Sequence, residues 1–274
     1  LERPCAMSCG MDAISSEKYG RASIDYDKCV SCGVCISSCP FGAIADKSQI
    51  FNVINEIKSG SRVISEIAPA FDGQFGPKVT AEKLKAALLE LGFFDVVEVA
   101  IGADLCTIEE AEDYMKNVPE KLDFMATSCC PSWSVMAKKL FPEFADNISM
   151  AMTPMVFTAR FIKQRYKDSK VVFIGPCVSK KLEATRKSVK SHVDYVLTFE
   201  EVMGMFEAKG IVLEDMEPAK NINFGTGAGR GFAVSGGVAN AVVDVIKKID
   251  PDREVPIDQA DGLKECRNML MLAK

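Results

Sequence analysis

The sequence predicts a small α+β domain stapled by metal-binding cysteines, followed by a larger α/β domain with helices around a mostly parallel sheet. Three observations point there. Six of the eleven cysteines fall within the first 39 residues. From about Ser48 onward, helical stretches alternate with short apolar runs. Two of those runs lead directly into cysteines, at 129–130 and at 177, and strand C-termini are where open α/β sheets place their chemistry.

Cys29, Cys32, Cys35 and Cys39, with Pro40 directly after, form the C-x2-C-x2-C-x3-C-P run found in bacterial ferredoxins. Cys5 and Cys9 with the residues that follow them align with Cys35 and Cys39, so the opening residues read as the tail of an earlier copy. Crossed ligation, in which the fourth cysteine of a run serves the other cluster, joins Cys9, Cys29, Cys32 and Cys35 around one [4Fe–4S] cluster. It leaves Cys5 and Cys39 to a second cluster, whose other ligands are expected before Leu1; the x2 position upstream of Cys5 holds Glu2. A zinc ribbon is the alternative, but it calls for two separated cysteine pairs. The stretch 18–26 reads as a hairpin between the two copies. Residues 1–47 thus form a ferredoxin-like domain that its two clusters hold together, since so short a chain buries little core.

The remainder, 48–274, divides by pattern. Helices are expected over 49–58, 80–91, 109–116, 132–140, 153–167, 199–209 and 238–249. Strands are expected over 62–68, 96–101, 122–126, 171–174 and 193–197. Thr153 before Pro154 has the signature of an N-cap with proline at the first helical position. The glycines between 225 and 237 fit no G-x-G-x-x-G register and read as a close-packed turn.

Bulk properties narrow the function classes. Eleven cysteines against one histidine favour iron–sulfur over zinc. A net charge of -5 gives no reason to expect nucleic acid or an anionic membrane as partner. No apolar run approaches the roughly 20 residues that span a bilayer, and no signal peptide is visible, so the expected location is cytoplasmic. The chain starts without Met and reads as a piece of a longer one.

The double cysteine run, Thr127-Ser128-Cys129-Cys130-Pro131-Ser132-Trp133 and the P-C-x-x-K-x-x-E motif at 176–183 together resemble the FeFe-hydrogenases, over essentially the whole chain. The resemblance implies reversible reduction of protons to H2, with ferredoxin or another carrier as electron partner. It implies an active-site H-cluster, a [4Fe–4S] cubane joined to a two-iron unit bearing carbonyl, cyanide and a dithiolate amine. Cys130 and Cys177 match two cubane ligands, and Cys129 the unligated thiol that passes protons. Lys180 matches the ammonium that bonds a cyanide, Ser149 a hydroxyl of the proton path, and Glu183 the acid that closes the motif. Glu110 and Asp113 match the inner and outer acids of the path, with a register one residue away as the alternative. Ala68-Pro69-Ala70 resembles the loop lining the two-iron unit, so Pro69 and Ala70 join the cofactor contacts. Gly175 and Ser132 depart from the family, which has Met and Gly there. The third cysteine motif is expected beyond Lys274, so the cluster of Cys9, Cys29, Cys32 and Cys35 is the one these residues complete alone.

Plainer readings stand beside these. Glu110 and Asp113 fit a solvated helix face, and Lys180 with Glu183 fits an ordinary i,i+3 pair. Cys106 and Cys266 read as small buried hydrophobes, and His192 as exposed. Met150, Met152 and Met155 fit either core filler or apolar walls around a cluster. The rival functions are a hydrogenase-like iron–sulfur scaffold and an H2 sensor.

Overall fold

The computed structural model describes residues 3–17, 19–220 and 225–274. Its N-terminal part holds two one-turn helices, α1 (Pro4–Met7) and α2 (Val34–Ser37), and an antiparallel pair, β1 (Ile14–Ser16) and β2 (Ala22–Ile24), in which Ile14 faces Ile24. The hairpin therefore opens earlier than the expected 18–26, and Lys18 itself lies outside the described residues, as does Glu2.

The larger part alternates as expected. After α3 (Ile50–Lys58) come β3 (Val63–Ile67), a 3-10 turn (Pro69–Phe71), α4 (Ala81–Leu91), β4 (Asp95–Glu98), α5 (Ala100–Asn117), α6 (Pro131–Leu140) and α7 (Pro154–Arg165). Then follow β5 (Lys170–Gly175), α8 (Ser179–Thr185), β6 (Tyr195–Thr198), α9 (Phe199–Lys209), α10 (Gly227–Gly231), α11 (Gly237–Ile249) and α12 (Gly262–Ala273). The four larger strands form one parallel sheet in the order β4-β3-β5-β6. Local chemistry sets several ends. Thr80 accepts from the Lys83 amide to start α4, which Gly92 ends at φ 113°, and a Thr198–Glu201 capping box starts α9.

One apolar core fills both faces of the sheet, with Ile64, Ile174 and Leu197 among its fully buried side chains. A second, smaller core joins the N-terminal part to the rest. There Met11, Ala13 and Val30 pack with Met136, Ala137 and Phe141 around α6 and with Leu270 of α12. Polar ties reinforce it: Ser132 Oγ donates to the Val30 carbonyl at 3.0 Å, and Lys139 Nζ to that of Asp27 at 2.7 Å. The serine that departs from the family pattern thus holds the cysteine-rich loop against α6.

Three expectations need correction. Residues 122–126 are not a strand: only Ala126 makes a bridge, to Ile148, and Asn147 takes up the Phe124 carbonyl at 2.8 Å. Leu122, Phe124, Met125 and Ala126 are half-buried and Asp123 is exposed, so no sheet face demands them. The expected strand 96–101 runs over 95–98 and gives way to α5, which begins at Ala100 rather than 109. A short apolar run does not separate a strand end from a first helical turn. The glycine-rich stretch carries a short helix, α10, where a Cβ on Gly229 would come within 2.2 Å of the Ala100 carbonyl oxygen. Close packing is the reason for glycine there, as expected. Helix α12 has no counterpart in the sequence reading.

Candidate functional site

The N-terminal cysteines form the first group. Cys9, Cys29 and Cys32 pack into the smaller core, and Cys9, Cys29, Cys32 and Cys35 lie close enough that their charges act on one another, which with burial raises the pKa of Cys32 and Cys35. Backbone amides point at the sulfurs, with Ala13 donating to Cys9 Sγ and Ser31 to Cys29 Sγ, each at 3.4 Å. Among the described residues no three His, Cys, Asp or Glu side chains close on a single-ion site. Four gathered thiols with backbone amides aimed at two of them are a donor set suited to a [4Fe–4S] cubane. Cys5 on α1 and Cys39 just past α2 belong to neighbouring turns that touch. Amides of Ala43 and Phe41 hold the Cys39 thiol below its usual pKa.

The second group lies between the sheet and α6. Trp133 Nε1 donates to the Thr127 carbonyl at 2.9 Å and closes the Thr127–Trp133 loop. Cys130 is the N-cap residue of α6, so amides of Trp133 and Ser132 face its sulfur, and Cys177 lies within electrostatic reach. Cys177 Sγ is 2.8 Å from Ser179 Oγ. The adjacent Cys129 has a different setting: burial pushes its thiol up to about 12, opposed by Lys180 and reinforced by Glu110.

Lys180 holds the group together. Its Nζ donates to the Cys129 carbonyl at 2.9 Å and to Glu183 Oε2 at 2.6 Å. Glu183, 2% exposed, takes a further bond on Oε1 from Thr153 Oγ1, also at 2.6 Å. Thr153 is thus not the side-chain cap that its sequence signature suggests; α7 has none. On the other side, Glu110 is fully buried on α5 and accepts from the Ser128 amide at 3.2 Å. Burial raises its pKa to about 7, while the Ser149 hydroxyl beside it works against that rise. That hydroxyl does not reach Glu110 Oε2, which has no partner. Asp113, one turn along α5 and half-buried, accepts from Asn117 Nδ2 at 2.8 Å. The solvated-face reading fails for Glu110 and fits Asp113 only in part.

Pro69 and Ala70 form the 3-10 turn after β3, and the Ala68 amide donates to the Ile174 carbonyl, which sets the turn beside the end of β5. Gly175 closes that strand. A Cβ there would meet the Phe173 ring at 2.5 Å and Ala68 Cβ at 3.1 Å, so the glycine follows from the packing of this turn.

The profile described as iron only hydrogenase large subunit, C-terminal domain, matches residues 61–274, and a 4Fe-4S binding domain matches 22–45. The chain belongs to the iron-only hydrogenase large-subunit family. Iron hydrogenase 1 of Clostridium pasteurianum is 32% identical over 83% of this chain and 45% of its own length. Cytosolic iron-sulfur assembly component 3 of Bos taurus is 27% identical over 74% of the chain and 50% of its own. The chain spans about half the length of these curated relatives. Among solved structures, the FeFe-hydrogenase HydA1 of Chlamydomonas reinhardtii superposes with a TM-score of 0.64 at 25% identity, covering 79% of this chain and 62% of the other. The family and the ferredoxin-type match make this a hydrogenase-like iron–sulfur protein.

Sequence reasoning missed several residues of the site. Thr153 sits at the N-cap of α7 as expected, but the bond of its hydroxyl to Glu183 was not foreseen. Glu66, on β3, is buried with neither carboxylate oxygen bonded, and a charge inside an apolar strand was the signal for it. Cys106 is buried as expected, His192 is exposed, and Met150 is solvent-facing while Met155 is core. Cys266 is only half-buried, and it lies within electrostatic reach of Cys130.

Proposed function

We propose that this chain carries the catalytic site of an FeFe-hydrogenase, which interconverts protons and electrons with H2. The observation that supports this most is the contrast between adjacent thiols: Cys130 is the N-cap of α6, within electrostatic reach of Cys177, whereas Cys129, its carbonyl bonded by Lys180 Nζ, is within reach of Lys180, Glu110 and Glu183. Cys130 and Cys177 would hold the cubane of the H-cluster, with Lys180, Pro69 and Ala70 around the two-iron unit. That group, when bound, supplies the redox chemistry of H2. Cys9, Cys29, Cys32 and Cys35 would hold one further [4Fe–4S] cluster, with Cys5 and Cys39 in a second, and electrons would enter there from ferredoxin or another carrier.

Protons are handled by the chain's own groups. Asp113 lies toward the C-terminal end of α5, Glu110 stores a proton near neutrality, and the Ser128 amide orients its carboxyl, with Ser149 beside it. Cys129 Sγ, kept as a thiol by burial, takes a proton from that side and gives it up toward the cluster. Glu183 holds the Lys180 ammonium in place through one oxygen and is itself held through the other by Thr153. Among the described residues no helix is long and apolar enough to cross a membrane.

Replacing Cys129 with Ala in the full-length protein tests the reading. H2 turnover should fall by orders of magnitude with iron content unchanged; persistent turnover removes Cys129 from the proton path. The similarity to an iron-sulfur assembly component favours a second reading, a scaffold without hydrogen chemistry. Infrared bands of iron-bound carbonyl and cyanide, present in the enzyme and absent in a scaffold, separate the two. An H2 sensor would show the bands but turn over slowly.

A further inference from the structure

Glu66 is a buried residue whose chemistry the proton path above leaves unused. It is fourth of the five residues of β3, a central strand, with Val97 of β4 and Phe173 of β5 as its lateral neighbours. The residue is 0% exposed, and neither Oε1 nor Oε2 has a hydrogen-bond partner. The charged groups that act on it are Lys180 and Glu183, both on α8. These two already form a buried pair at 2.6 Å, and the second oxygen of Glu183 is taken by Thr153. One ammonium therefore faces two buried carboxyl groups. Ionising both would leave a net negative charge in an apolar core, which costs far more than leaving one of them protonated.

We propose that Glu66 is a second proton-holding residue of this site, a neutral carboxylic acid kept uncharged by its burial beside the Lys180–Glu183 pair. With Glu66 neutral, the Lys180 ammonium and the Glu183 carboxylate cancel and the three groups carry no net charge. Burial raises the Glu66 pKa well above the usual carboxylate value, with Lys180 opposing and Glu183 adding to the rise.

The role assigned to this proton rests on the proton-transfer reading of the site, but its test does not. Infrared spectra of the 274-residue chain with isotope-labelled glutamate are read without turnover, so a failed hydrogenase reading would leave the result intact. At about pH 9, where a carboxyl titrating at about 7 such as Glu110 is ionised, the wild type should retain a protonated glutamic acid C=O band that shifts in D2O. Glu66→Gln should abolish the band. Glu183→Gln should abolish it too, because the freed Lys180 ammonium then draws Glu66 into the charged form, an effect that a merely structural residue would not show. Should Glu66→Gln fail to fold, Glu66→Asp serves, and is expected to lose the label-sensitive band while gaining an unlabelled acid band. A wild type without the band, a band surviving Glu66→Gln or Glu66→Asp, or one surviving Glu183→Gln overturns the proposal.

Discussion

Lys180 donates through Nζ to the backbone carbonyl of Cys129 at 2.9 Å, and this bond joins two cysteine motifs that lie 51 residues apart in the chain. The same ammonium meets Glu183 at 2.6 Å. One buried cation thus fixes the loop of the first motif, the helix of the second and the charge balance between them.

Removing that cation strands Glu183 in the core. Lys180→Met is expected to destabilise the chain by about 3–5 kcal/mol, the range for breaking a buried pair from one side. Lys180→Met/Glu183→Gln should recover most of the loss, because it leaves no buried charge. Denaturant unfolding of the three variants against wild type checks this.

Thr153 offers a test of what its hydroxyl does. Thr153→Val leaves Glu183 Oε1 without its donor and should cost about 1–3 kcal/mol. Thr153→Ser should restore the bond. Thr153→Asp, a good helix cap, should be worse than Val, since it sets a second carboxylate beside Glu183; a stabilising Asp would show that capping α7 is the real role.

Glu110 predicts a pH signature. Its folded pKa, raised from 4.5 to about 7, lies above the unfolded one, so the folded state binds more protons between them and stability falls as pH rises through that window. Glu110→Gln lacks this loss. Its stability relative to wild type should climb from about pH 4.5 and level off above about 7, by up to about 3 kcal/mol. Parallel thermal unfolding curves at all pH values would show that Glu110 is not buried as a titrating acid.

Gly175→Ala should be destabilising by about 1–3 kcal/mol, through overpacking against Phe173 and Ala68. Adding Phe173→Leu should relieve most of the strain. A double variant no better than the single one would place the conflict elsewhere.

The Ser132–Val30 bond helps hold the cysteine-rich loop against α6. Ser132→Ala loses a buried bond of 3.0 Å and about 1 kcal/mol, with faster amide exchange around Val30.

Much of this protein is written in short-range chemistry. Cysteine spacing at 29, 32, 35 and 39 declared a cluster-binding run, because cubane ligation constrains nearby residues directly. Apolar periodicity marked most helices, since that signal is also local. The tertiary structure decided what depends on partners distant in sequence. It gave the hydroxyl of Thr153, at the N-cap of α7, to Glu183, left 122–126 outside the sheet, and placed Ser132 on the Val30 carbonyl. It also placed Glu66, whose letter says only that a charge stands in an apolar strand. Whether that carboxyl is ionised depends on burial and on Lys180 and Glu183, more than 110 residues away in the chain, and only the folded arrangement brings those together.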